Sequence, residues 1–150
     1  MDQKGVTLIE LVVVLAIIAI GTALVVPKIG AWLPHYHLKC ATRDIVSTMR
    51  TAQMRAISTG IQYRVNFNTD EVGVANSFIL QRNSGGEWSN DGAVQTLPAG
   101  ITMDIDQMPA GRALFNPNST ATAGSTIVRN TKGMQNRISI TSATGRVRIE

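Results

Sequence analysis

Cysteine is almost absent from this chain: Cys40 stands alone among 150 residues. An intrachain disulfide is therefore excluded, and so are the paired thiolates of a structural zinc site. With no catalytic motif around it, Cys40 is expected to be a buried thiol on a helix face. Charge is also sparse, at 16% of residues. Catalytic constellations are missing: there is no Ser-His-Asp arrangement, no phosphate-binding loop and no zinc spacing. His35 and His37 lie two apart, about 200° around a helix, so they cannot share a metal there and are expected at a surface or interface. Asp104 and Asp106 fall on one strand face, and two carboxylates are too few for a calcium site. No internal repeat and no long low-complexity segment occurs. The chain is expected to be a non-enzyme without a cofactor.

What it has instead is a long apolar run. Residues 6–26 include only three polar side chains, Thr7, Glu10 and Thr22. As a helix this run reaches roughly 30 Å, about the hydrocarbon thickness of a bilayer. A helix that is apolar all round needs an apolar solvent. A carboxylate inside it costs on the order of 3 kcal/mol, so Glu10 marks either a function or a side chain that snorkels to the headgroups.

The residues around Glu10 choose between these. Gly5 is followed by Val6-Thr7-Leu8-Ile9-Glu10 and the apolar helix. Here the sequence resembles the type IV pilin family, including the pseudopilins of type II secretion. The resemblance implies that residues 1–5 are a leader ending in Gly5, removed by prepilin peptidase. Val6 would become the mature, N-methylated amino terminus, in place of the commoner Phe or Met. The Glu10 carboxylate of one subunit would then face the Val6 amine of another in the filament, each relieving the burial of the other. An ordinary signal peptide is the rival reading, with Lys4 as n-region and cleavage after Gly21-Thr22-Ala23. An acidic residue at the head of the apolar region suits it poorly. Sequencing the mature amino terminus separates the two, Val6 against Leu24. Lacking the disulfide of many major pilins, the chain suits a minor pilin or pseudopilin better.

Beyond residue 27 the pattern changes. Pro27 and Pro34, with Gly30 between them, predict a kinked or partly unwound segment. Leu38, Ala41, Ile45, Met49, Ala52 and Ala56 then recur at helical spacing, with Lys39, Arg43, Arg50 and Arg55 elsewhere on the circumference. Gly60 is placed to cap this helix. The period switches to two at residues 61–67, and further strands are expected at 72–81, 101–105, 112–115, 124–129, 137–141 and 146–149. A long loop is expected around Trp88. The fold class is α+β: a long amino-terminal helix, half transmembrane and half amphipathic, packed on antiparallel sheet. Its parts are a leader at 1–5, an assembly helix at 6–27, a stem at 28–60 and a β-rich globular region at 61–150.

The last hairpin carries the clearest soluble signal. With residues 142–145 as its loop, Ile140 opposes Val147, Ile138 opposes Ile149 and Arg137 opposes Glu150. The four apolar residues would face the core. Arg137, paired with Glu150, would share the outer face with Arg146 and Arg148, which stay free. The last two stand roughly 6.5–7 Å apart, a spacing that suits adjacent phosphates. The segment from Ala113-Leu114-Phe115-Asn116-Pro117 through Ser142-Ala143-Thr144-Gly145-Arg146-Val147-Arg148 resembles the carboxy-terminal part of the FimT/GspH minor pilins and pseudopilins. In the FimT branch a Gly-Arg-x-Arg motif is tied to DNA uptake, and Gly145-Arg146-Val147-Arg148 fits it. Arg129, Lys132 and Arg137 would extend the patch. The bland alternative is a solvated strand face that keeps an edge from sticking to other edges.

Formal charge is −1 over residues 1–27, +4 over 28–60, −3 over 61–125 and +4 over 126–150. The two basic stretches point to a polyanion or to anionic lipid beside the stem. The resemblance implies single-pass insertion in a bacterial inner membrane, amino terminus cytoplasmic and globular region periplasmic, before entry into a pilus or pseudopilus. Its implied partners are other pilin or pseudopilin subunits, prepilin peptidase and the inner-membrane assembly platform, with DNA as the competing one.

Overall fold

The computed structural model describes residues 7–67 and 69–150, without the side chains at 24–29, 31 and 69. Residues 1–6, the expected leader and Val6 among them, lie outside the description. The contacts divide the chain into two units, Met1–Leu33 and Pro34–Glu150.

Helix α1 spans Leu8–Thr59, 52 residues. It is assigned as continuous through residues 27–34, so the expected unwinding is absent. A proline removes one backbone donor, and the intact ladder on either side carries the helix across the gap. Gly60 ends it, adopting φ +71° and donating its N–H to the Ala56 carbonyl at 3.1 Å. Only glycine enters that region without a penalty from its own Cβ.

In Met1–Leu33 every large apolar side chain from Leu8 to Ile20 is 47–80% exposed. Among the described residues no helix is long and apolar enough to cross a membrane. Within the apolar run the described side chains stop at Ala23, since those of residues 24–26 are not described.

In Pro34–Glu150 the six helix positions anticipated from spacing are each at most 3% exposed. They join strand residues of two antiparallel sheets in one apolar cluster. The first sheet has the order β3-β2-β1-β6, formed by Glu87–Asn90, Ser77–Ser84, Tyr63–Asn66 and Arg112–Phe115, and the two-residue β4, Gln95–Thr96, also pairs with β2. The second has the order β5-β7-β8-β9, formed by Ile101–Asp104, Gly124–Asn130, Gln135–Ile140 and Val147–Ile149. Phe67 and Phe78 anchor the core of the first sheet with ring centroids 5.9 Å apart.

Several expectations shift. The strand placed at 72–81 is displaced by a short helix, α2, Thr69–Val72, so that β2 begins at Ser77. The loop around Trp88 is instead β3, paired with β2 through Asn83↔Trp88. Glycines 85 and 86 supply a tight turn there rather than a long loop. Cys40 is half-buried and free, not fully buried. A hydrogen bond to Cys40 is the largest of the effects that raise the Tyr36 phenol above its ordinary pKa.

Phe115, the last residue of β6, is fully buried in the apolar cluster. Phe115→Ala should destabilise the chain by about 3–5 kcal/mol, read as a lower urea midpoint at unchanged slope.

Candidate functional site

Three places on the chain carry chemistry. The first is the start of α1. Thr7 precedes the helix, and its Oγ1 accepts from the Glu10 N–H at 3.3 Å. This is half of a capping box, in which a Thr is followed three residues later by a Glu. Glu10 is exposed and sits in the first turn, where the positive end of the helix dipole favours a carboxylate. Gly5 and Val6, its expected partners in processing and assembly, lie outside the described residues.

The second is the β8–β9 hairpin. Its register is the one expected: Ile140 opposes Val147 and Ile138 opposes Ile149, and Arg137 and Glu150 exchange backbone hydrogen bonds of 3.0 and 2.8 Å. Two side-chain expectations fail. Ile149 is 49% exposed, because β9 is an edge strand whose last apolar residue overhangs the rim of the core beside Val46 and Met54. Arg137 forms no ion pair with Glu150. Its Nη1 donates to Gln107 Oε1 at 3.1 Å, and Ser139 Oγ donates to Glu150 Oε1 at 2.9 Å.

The other basic residues separate in the same way. Arg129 pairs with Asp104 at 3.4 Å and donates to Gln135. Lys132 sits in the β7–β8 turn, its backbone N–H bonded to Asn130 Oδ1. That turn and the one leading to Arg146 close opposite ends of β8, six residues or roughly 20 Å apart, so Arg129 and Lys132 do not join the carboxy-terminal pair. The side chains of Arg146 and Arg148 are exposed and have no hydrogen-bond or ion-pair partner among the described residues.

Gly145 explains how that pair is held. It is buried at φ +61°, and a Cβ built on it would lie 2.7 Å from both Gln53 Nε2 and the Ser119 carbonyl oxygen. Gln53, on α1, donates to the Thr144 carbonyl at 2.9 Å, and Ala121 donates to the Ser142 carbonyl at 2.9 Å. Helix and neighbouring loop thus grip the turn from two sides, and the glycine lets them close on it.

The third place was not expected from the sequence. On the outer face of the first sheet, Arg64 Nε donates to Gln81 Oε1 at 2.7 Å, and Gln81 Nε2 donates to Asn90 Oδ1 at 3.0 Å. Glu71, from α2, accepts from Arg64 Nη2 at 3.3 Å and from Asn66 Nδ2 at 2.8 Å. It also pairs with Arg112. The Arg64 guanidinium lies over the Trp88 ring, 4.3 Å from its centroid. Burial, with the charge of Arg112 beside it, pulls Arg64 below its ordinary pKa. An alternating polar strand usually signals a solvated face; here Arg64 and Asn66 are buried. Among the described residues no cluster of His, Cys, Asp and Glu is arranged to hold a metal.

Comparison with known proteins bears on the first two places. Residues 1–26 match the prokaryotic N-terminal methylation motif. The fold is similar to that of EpsH, a minor pseudopilin of the Type 2 Secretion System of Vibrio cholerae. The TM-score is 0.63 at 14% identity, over 76% of this chain and 96% of that one. It is also similar to FimU, a type IV minor pilin of Pseudomonas aeruginosa, with a TM-score of 0.60 at 18% identity, over 77% of this chain and 90% of that one. No curated protein matches the sequence. The chain thus carries the methylation motif at its start, and its fold is similar to those of a minor pseudopilin and a minor pilin.

Gly145→Ala should cost about 2–4 kcal/mol, from backbone strain plus overlap with Gln53 and Ser119. Gly133→Ala, at φ +78° with open space around it, should cost only about 1–2 kcal/mol. Urea unfolding of the two variants side by side separates strain from crowding.

Proposed function

We propose that this chain is a minor subunit of a type IV pilus or a type II secretion filament. Prepilin peptidase cuts it after Gly5. It waits in the inner membrane as a single-pass protein, amino terminus cytoplasmic and globular part periplasmic, and then enters the filament near its tip through contacts with other pilin or pseudopilin subunits and the assembly platform. One observation carries this reading: a methylation motif leads into a helix whose large apolar side chains from Leu8 to Ile20 are exposed on every side, with the carboxylate of Glu10 among them. A surface of that kind is stable only against lipid or other helices. The freed Val6 amine supplies the cation that makes Glu10 favourable in a stack. Nothing in this role calls for catalysis.

A second reading, DNA capture for uptake, is favoured by Arg146 and Arg148, both exposed and unpartnered among the described residues. Contacts from such a pair would go to phosphates, so binding would be tolerant of sequence and sensitive to salt. Arg129 and Arg137 are engaged by their neighbours and contribute little to it.

Glu10→Gln should lower incorporation into filaments on the order of tenfold while leaving cleavage after Gly5 intact, measured on sheared filaments by immunoblot and amino-terminal sequencing. Incorporation equal to the parent's would refute the pairing. For the second reading, converting Arg146 and Arg148 together to Gln should reduce the slope of log affinity against log salt by about 2. Unchanged DNA affinity removes that reading.

A further inference from the structure

The arginine network on the first sheet has a charge imbalance. Two guanidinium groups, Arg64 and Arg112, share one carboxylate, that of Glu71. Arg64 is well supplied, with Gln81 on Nε, Glu71 on Nη2 and the Trp88 ring beneath it. Arg112 is not: its Nε is buried and has no acceptor among the described residues. A donor left in that state costs about 1–3 kcal/mol, and native structures seldom leave one without a reason. Both arginines line a cavity of ≈ 270 Å³ whose walls also include Trp88, Leu114 and Thr122. The lining thus combines an aromatic wall, an aliphatic wall, a hydroxyl and two guanidinium groups that share one carboxylate.

We propose that this cavity is a docking site for the carboxylate of a single Asp or Glu side chain presented by a partner protein, with Arg112 as its principal ligand and Glu71 as the chain's own occupant of the same arginine pair. The size fits one side chain. Planar carboxylates match the arginine fork, and the apolar walls strengthen the pair by excluding water. A nucleic acid is the wrong occupant. Residues 61–125, which contain the site, carry a net charge of −3, so the surroundings repel a polyanion, while two guanidinium groups with only the Glu71 carboxylate between them leave room for a single further carboxylate. The basic hairpin of residues 135–149 belongs to the other sheet, so the two surfaces are independent of each other. The site also stands apart from the filament reading, since its chemistry does not depend on which assembly supplies the partner.

The test uses the full-length chain in detergent micelles with Trp32→Phe, which leaves Trp88 as the sole indole reporter. The probe is N-acetyl-glutamate N-methylamide, with the corresponding glutamine compound and inorganic phosphate as comparisons. Trp88 emission should change saturably with the glutamate probe, and the glutamine compound should bind at least tenfold more weakly. Glu71→Gln should tighten the probe by about tenfold, because it removes the internal competitor. Arg112→Gln should weaken it by tenfold or more. Arg112→Lys, which keeps the charge and loses the fork, should weaken it similarly while the thermal midpoint stays within a few degrees of the parent. The proposal is overturned if the emission does not saturate or if acid and amide bind alike. Indifference of Arg112→Lys, no gain from Glu71→Gln, or tighter binding of phosphate than of the glutamate probe would each overturn it as well.

Discussion

Everything in Pro34–Glu150 depends on one stripe of α1. Leu38, Ala41, Ile45, Met49, Ala52 and Ala56 are buried in a cluster shared with strands of both sheets. Three of the six are alanines, and small side chains at a helix surface let a sheet approach closely. The helix adds little by its own propensity to form; most of its stability comes from this burial. Polar tethers then fix the sheets against it: Asn136 Nδ2 donates to Thr42 Oγ1 at 3.0 Å, Asn130 Nδ2 donates to the Pro34 carbonyl at 3.3 Å, and Arg55 pairs with Asp91.

That arrangement decides which surfaces remain available. Residues 135–149 form a hairpin pressed onto α1 by Val147 within and by Gln53 at the turn, so Arg146 and Arg148 have only one direction left, outward. On the other sheet, α2 brings Glu71 over β1 and converts an outer face into a half-enclosed polar network. The two sheets thus present different chemistry. One offers, at Arg146 and Arg148, exposed cationic side chains with no acceptor of their own among the described residues; the other offers arginines already held in place by a carboxylate and an indole. The first kind suits a diffuse, charged partner, and the second suits a single group of defined shape.

How much of this was legible follows from how local each signal was. The buried helix stripe was legible because six apolar residues at spacings of three and four define a face without reference to anything else. The β8–β9 register was legible because a slip by one residue would bury arginines. The methylation motif was legible because its residues are contiguous. Other features depend on distant parts of the chain. Ile149 obeys the alternation of β9, yet the core ends before reaching it, and strand patterning does not record where a core stops. Arg137 opposes Glu150 as expected, but Gln107, thirty residues away, competes for it. Arg64 and Asn66 look like solvated positions of an alternating strand, and it takes Glu71 of α2 together with Gln81 and Trp88 of the neighbouring strands to enclose them. Thr7 and Glu10 were a local signal that went unused: the Thr-x-x-Glu spacing of a capping box lies inside the motif that drew attention for another reason.

That last overlap sharpens the assembly reading. A carboxylate in the first helical turn is already favoured by the helix dipole before any second subunit arrives, and the Thr7 side chain caps the turn that holds it. This offsets part of the cost of holding Glu10 near lipid and explains how a lone subunit could keep the acid at that position. It also limits what Glu10 can contribute to the filament. An interaction present equally in the waiting subunit and in the assembled one shifts no equilibrium, however strong it is. Only the part of the stabilisation that appears on assembly drives it, and the cap and the dipole belong to the part that does not. The proposed pairing with a Val6 amine therefore has to exceed what Glu10 loses in leaving water and headgroups. It meets that condition most readily where neighbouring helices exclude both, which is the environment that the exposed apolar flank from Leu8 to Ile20 would create when packed against its own kind.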